Sequence, residues 1–132
     1  MSRQLTASVV RPVERYFEAL NEHDLDAVVE LFTEDAVVMA SEAPTAAGRE
    51  EVRGAYTHGF AVMEFGRVPE IDETITEGDL AVVRCHTTGT FTLKATGMRI
   101  EAICRELFAL KRAAGEWKIH SYMFNSPTPA QQ

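Results

Sequence analysis

Cysteine is scarce: Cys85 and Cys104 are the only two in 132 residues, too few for a disulfide scaffold. Both lie in apolar, strand-like runs and read as small buried residues rather than as a pair. No apolar run approaches the roughly 18 residues of a membrane span, and Met1-Ser2-Arg3-Gln4 has no signal-peptide h-region, so the expectation is a cytoplasmic, soluble protein. Positive charge is also in deficit. Thirteen Lys and Arg stand against 20 Asp and Glu, a formal charge of -7, and only Lys111-Arg112 resembles a basic cluster. This excludes a broad basic face for nucleic acid or an anionic membrane. There is no G-x-S-x-G, phosphate loop or dinucleotide glycine pattern. The histidines His23, His58, His86 and His120 fall in no H-x-H or H-E-x-x-H spacing, so neither a metal nor another cofactor is expected.

What is present suits one globular domain. Hydrophobic residues make up 45% and charged residues 25% of a 14.7 kDa chain, enough to bury a core without staples. The ordered core is expected over about residues 7–126, followed by a frayed tail with two prolines, Pro127 and Pro129. Val9, Val13, Tyr16, Phe17 and Leu20 recur three and four apart, one face of a helix with Pro12 in its first turn. Asp24 caps a short second helix bearing Leu25, Val28, Val29 and Phe32. A brief strand follows over 36–40, and Ser41 to Ala47 is a loop. Gly48-Arg49-Glu50-Glu51 opens a third helix with Val52, Tyr56, Phe60 and Met63, closed off by Gly66 and Pro69.

Beyond Ile71 the period becomes two. Strands are expected over 71–76, 80–93, 98–111 and 116–125, separated by turns at Gly78, Gly97 and Gly115. Long antiparallel strands in so short a chain must curve, so the fold class is α+β: a curved sheet wrapped around three N-terminal helices as a cone with a pocket.

The run from Tyr16 through Asn21, Asp24 and Asp26 to Ala27 resembles the "Y-x-x-x-(x)-N-x-x-D-x-(D/E)-A" opening of the nuclear-transport-factor-2-like superfamily. Leu31-Phe32-Thr33-Glu34-Asp35-Ala36 resembles its step into the first strand, and Gly115-Glu116-Trp117-Lys118-Ile119 its "G-x-W-(K/R)-I" last strand. The similarity runs over about residues 7–126 and is greatest to ketosteroid-isomerase-like proteins of the SnoaL group. The resemblance implies a cystatin-like cone. It leaves function open, because isomerases, cyclases, dehydratases, hydrolases and non-catalytic association domains share this fold.

Carried over by position, the isomerase's oxyanion tyrosine falls on Tyr16, its protonated acid at or beside Glu106, and its base on Ala40. Alanine accepts no proton, so a true steroid isomerase is not expected. Glu42 at the pocket rim is the substitute to weigh against an ordinary solvated loop. Glu106 reads either as a carboxyl with a raised pKa among apolar walls or as a partner of Arg84. His120 reads either as a proton shuttle near Glu106 or as a histidine bonded to a neighbour and nothing more. The resemblance turns His120, Tyr122 and Phe124 into the cone; the parity of the run from Arg84 to Thr88 leaves the face of His86 open, with the outer sheet face preferred. Tyr16, Glu106 and His120 are therefore the candidate catalytic residues. Phe17, Leu20, Ala40, Tyr56, Phe60, Met63, Cys104, Phe108, Tyr122 and Phe124 are the candidate pocket residues.

The expected protein binds a small, largely apolar molecule, with cofactor-free acid–base chemistry as one outcome. It pairs with a second copy through the sheet face. The alternative is a non-catalytic association domain with a vestigial pocket.

Overall fold

A computed structural model describes residues 3–126; the tail from Pro127 onward, read above as frayed, lies outside them. Helix α1 (Arg3–Asn21) buries Val9, Val13, Tyr16, Phe17 and Leu20 on one face, as their spacing requires. Pro12 stands inside this helix, not in its first turn, because the helix starts upstream of Val9. An interior proline costs about 3 kcal/mol, which the buried stripe on both sides of it must offset.

The end of α1 is a two-bond cap. His23 adopts a left-handed φ of 59°, while Asp24 N donates to Ala19 O at 2.9 Å and His23 N to Leu20 O at 3.2 Å. Asp24 then caps α2 (Leu25–Glu30), its carboxylate accepting from Ala27 N at 3.2 Å. Helix α3 (Arg49–Val62) carries Glu50 and Glu51 in its first turn, and Glu51 also accepts from Ala47 N at 2.9 Å.

The strands are β1 (Phe32–Met39), β2 (Ala46–Ala47), β3 (Met63–Glu77), β4 (Leu80–Leu93), β5 (Arg99–Glu101), β6 (Cys104–Ala113) and β7 (Glu116–Asn125). They form a curved, unclosed mixed sheet in the order β2-β1-β7-β6-β4-β3, with β5 beside β4. The β1–β7 pair is parallel and the other pairs are antiparallel. The aromatic side chains of α1 pack against Phe32, Phe108 and Tyr122 on the concave face.

Several strand expectations change: Phe32, expected on the second helix, opens β1, and Ala46–Ala47 form β2 inside the expected loop. Gly66 and Pro69 do not end a helix; they lie inside β3, which begins at Met63. Pro69 is tolerated because β3 is the last strand in the order, where a missing N–H removes no necessary ladder bond. Gly66 is there because β3 and β4 approach closely. A Cβ on it would lie 2.7 Å from Thr90 Oγ1, and one on Gly89 (φ 119°) only 1.9 Å from Gly66 O. The run 98–111 divides into β5 and β6, with Ala102 N between them donating to Gly89 O at 3.1 Å.

Candidate acid–base and ligand site

The helices do not fill the cone. A cavity of about 500 Å³ lies between α1, α3 and the concave sheet, in the range of small-molecule sites. Its inner wall is made by Tyr16, Phe17 and Leu20 of α1, Tyr56 of α3, and Cys104, Glu106, Tyr122 and Phe124 of the sheet. Met63, Phe65, Phe91 and Leu93 extend the apolar wall along β3 and β4, while the exposed Ser41, Ala43, Ala55 and His58 mark the mouth.

Burial of Glu106 follows from strand parity: Cys104, Glu106, Phe108 and Leu110 alternate inward along β6, and Arg105 and Leu107 outward. Glu106 is 4% exposed. Its Oε1 accepts from the Tyr122 hydroxyl and its Oε2 from Thr87 Oγ1 at 2.7 Å. Burial pushes its carboxyl above the ordinary 4.5; hydrogen bonds from Tyr122 and Thr87, then the Arg67 charge, pull the other way without cancelling the rise.

Tyr16 and Tyr56 share a hydroxyl–hydroxyl bond of 2.5 Å. Two hydroxyl protons serve that pair and the mutual bond uses one, so the pair retains one donor. Burial first, and neighbouring acidic groups next, raise the Tyr16 phenol well above its ordinary value, so it stays a donor. Burial likewise raises the Tyr56 phenol.

Arg67 stands in the same wall, 2% exposed, and neither it nor Thr87 was singled out in the sequence. Its Nη2 donates to Thr87 Oγ1 at 3.0 Å and to Ala102 O at 2.9 Å. An arginine at alternate spacing beside Val68 and Pro69, in a stretch read as the end of a helix, gave no signal of an inward position.

The structure corrects several placements. His120 does not face the cavity. The β6–β7 register passes from Ala109↔Ser121 to Leu110↔Ile119, so His120 is the extra residue of a bulge. That bulge inverts parity: Trp117 and Ile119 are buried before it, Tyr122 after it. The imidazole bonds Ser121 Oγ at 2.8 Å, with Asp35 at 3.7 Å, and reaches no residue of the acid cluster. Phe60 and Phe108 back the wall without lining it: Phe60 stacks on His23 at 4.6 Å and Phe108 on Tyr122 at 4.2 Å.

Arg84 does not meet Glu106; it points outward to Glu73 at 3.1 Å. Glu42 is exposed at φ 59° and is not among the lining residues, between Ser41 and Ala43, which are. Ala40 does line the mouth. His86 is on the outer face, its Nδ1 2.9 Å from Asp72, itself the unpaired residue of a β3 bulge. Both cysteines are free and buried. Among the described residues no group of three His, Cys, Asp or Glu side chains could hold a metal ion, and no helix is long and apolar enough to cross a membrane.

Three helices in the concave side of an open mixed sheet make the fold that solved structures describe as cystatin-like or nuclear-transport-factor-2-like. Residues 13–120 match the SnoaL-like domain family, and the chain belongs to it. A ketosteroid isomerase-like protein from Erwinia carotovora atroseptica is 34% identical, with a TM-score of 0.91 over 98% of this chain and 100% of that one. A Novosphingobium aromaticivorans protein called "putative aromatic ring hydroxylase" is 26% identical, with a TM-score of 0.80 over 92% of this chain and 88% of that one. A "putative dehydratase" of the NTF2-like family from Streptomyces avermitilis, 16% identical, has a TM-score of 0.80 over 93% and 97% and speaks for the fold alone. No match was found among curated proteins.

Proposed function

We propose that the protein binds a small, largely apolar molecule carrying a hydrogen-bond-accepting oxygen, and polarises that oxygen by cofactor-free acid–base chemistry. The observation that carries this reading is a carboxyl with a raised pKa in the wall of an otherwise mostly apolar cavity, beside three phenols. Glu106 and Tyr16 are the proposed donors. Protonated Glu106 hydrogen-bonds an oxygen in the cavity directly or through Tyr122, and the Tyr16–Tyr56 pair supplies its remaining proton. This is the electrophilic half of an enolisation. A proton leaving carbon goes to water or to His58 at the mouth, because Ala40 accepts none.

The test uses 2-acetylnaphthalene, a neutral aryl ketone of suitable size. Calorimetry is expected to show micromolar binding, lost in Ala40→Trp, which plugs the mouth. Exchange of its methyl protons in D2O, followed by NMR, is expected to be faster with the protein and slower again in Glu106→Gln and Tyr16→Phe. Binding without accelerated exchange favours the non-catalytic alternative; no binding up to the ketone's solubility limit overturns the reading.

The convex sheet face is the surface proposed for a second copy. Val82, Leu107 and Met123 are exposed there on three adjacent strands, with Leu107 paired to Met123 in register. Sedimentation should give a dimer at micromolar concentration and a monomer for Leu107→Asp; a monomeric native protein contradicts this.

A further inference from the structure

We infer that the molecule this cavity takes carries an anionic group, a carboxylate, which seats against Arg67. The inference rests on the ligand-binding reading above and narrows its ligand class. Arg67 is held rigidly at both ends. Asn21 clamps its backbone in both directions, its Nδ2 donating to Arg67 O at 2.8 Å and its Oδ1 accepting from Arg67 N at 2.9 Å. The guanidinium carbon lies 4.3 Å over the ring centre of Phe91, and Nη2 is committed to Thr87 and Ala102.

Nη1, by contrast, is buried and has no hydrogen-bond partner. Among the described residues Arg67 forms no direct ion pair, although a buried guanidinium ordinarily has a carboxylate against it. Glu106, on the same wall, is reached only through the Thr87 hydroxyl. Burial favours the protonated form of that carboxyl, and to that extent the cavity wall holds a cation without a counter-ion. The fork is thus pre-organised and short of one acceptor. A planar carboxylate supplies both the charge and the acceptor, while its apolar body lies along Phe65, Phe91 and Leu93.

The experiment compares 2-naphthoate with 2-acetylnaphthalene, nearly isosteric but charged and neutral, by calorimetry at pH 7. The native protein is expected to prefer the carboxylate by tenfold or more, despite its net charge of -7. Arg67→Gln should lose that preference, the carboxylate binding no more tightly than the ketone, with circular dichroism checking that it folds. Arg67→Lys should keep part of the preference. Equal affinities in the native protein, or tighter ketone binding, would overturn the role of Arg67 and leave the apolar cavity standing. Failure of both probes to bind would remove the cavity reading and this inference together. The native comparison decides the matter even if neither variant folds.

Discussion

Arg67 and Glu106 never touch: Thr87 Oγ1 lies between them, accepting from the guanidinium at 3.0 Å and donating to the carboxyl at 2.7 Å. One hydroxyl thus transmits the cation's influence to the acid. Thr87→Val keeps the shape and removes the relay. Such a change should cost about 1–3 kcal/mol, because it leaves a buried carboxyl oxygen short of its donor, while the arginine keeps Thr87 O and Ala102 O as acceptors. The Glu106 titration midpoint, read by carbon-13 NMR of its carboxyl, should rise further; a midpoint that stays put or falls would show that Thr87 transmits nothing.

Folding stability should carry a matching pH signature. Because burial holds the folded-state pKa of Glu106 above 4.5, the protonated carboxyl favours the folded chain. Its contribution is full below about pH 4.5 and is lost as pH rises through the raised folded value. The Tyr16, Tyr56 and Tyr122 phenols and the Cys85 and Cys104 thiols around it are themselves pushed upward by burial. Glu106 is therefore the acid of this cluster that changes charge in that window. Urea unfolding of Glu106→Gln against the native protein should show the variant gaining, relatively, about 1.4 kcal/mol for each pH unit of the raised interval. Parallel pH profiles would contradict the raised pKa.

The close pass between β3 and β4 depends on a pair of glycines, Gly66 and Gly89. Gly89→Ala would set a Cβ 1.9 Å from Gly66 O at a φ of 119°. Thermal unfolding should report a loss of at least about 3 kcal/mol. Gly54→Ala, a helical position with nothing within 4 Å of the added Cβ, is the control and should be neutral or slightly stabilising.

The apolar faces of α1 and α3 and the β6 face were legible in the sequence because their periods are unbroken, although Phe32 and Met63, placed on helices by the same spacing, open β1 and β3. Val9 to Leu20 and Cys104 to Leu110 each keep one spacing from end to end, and both bury the residues that spacing selects. Tyr16, Tyr56 and Glu106 were found on those elements. His120 was misplaced because a bulge adds one residue and exchanges the two faces, and no residue type announces it. Arg67 and Thr87 were missed for a related reason. Gly66 and Pro69 look like punctuation in a linear reading, and only the edge position of β3 and the close pass at Gly89 turn them into strand.

A crystal structure of the protein grown with 2-acetylnaphthalene shows whether the cone is a binding site. Density for the ketone is expected inside the cone between Phe65, Phe91 and Tyr16, its oxygen within hydrogen-bond distance of Tyr16, Tyr122 or Glu106. Density confined to the outer sheet face beside His86 and Asp72, or a cone holding only water at saturating ketone, would contradict that.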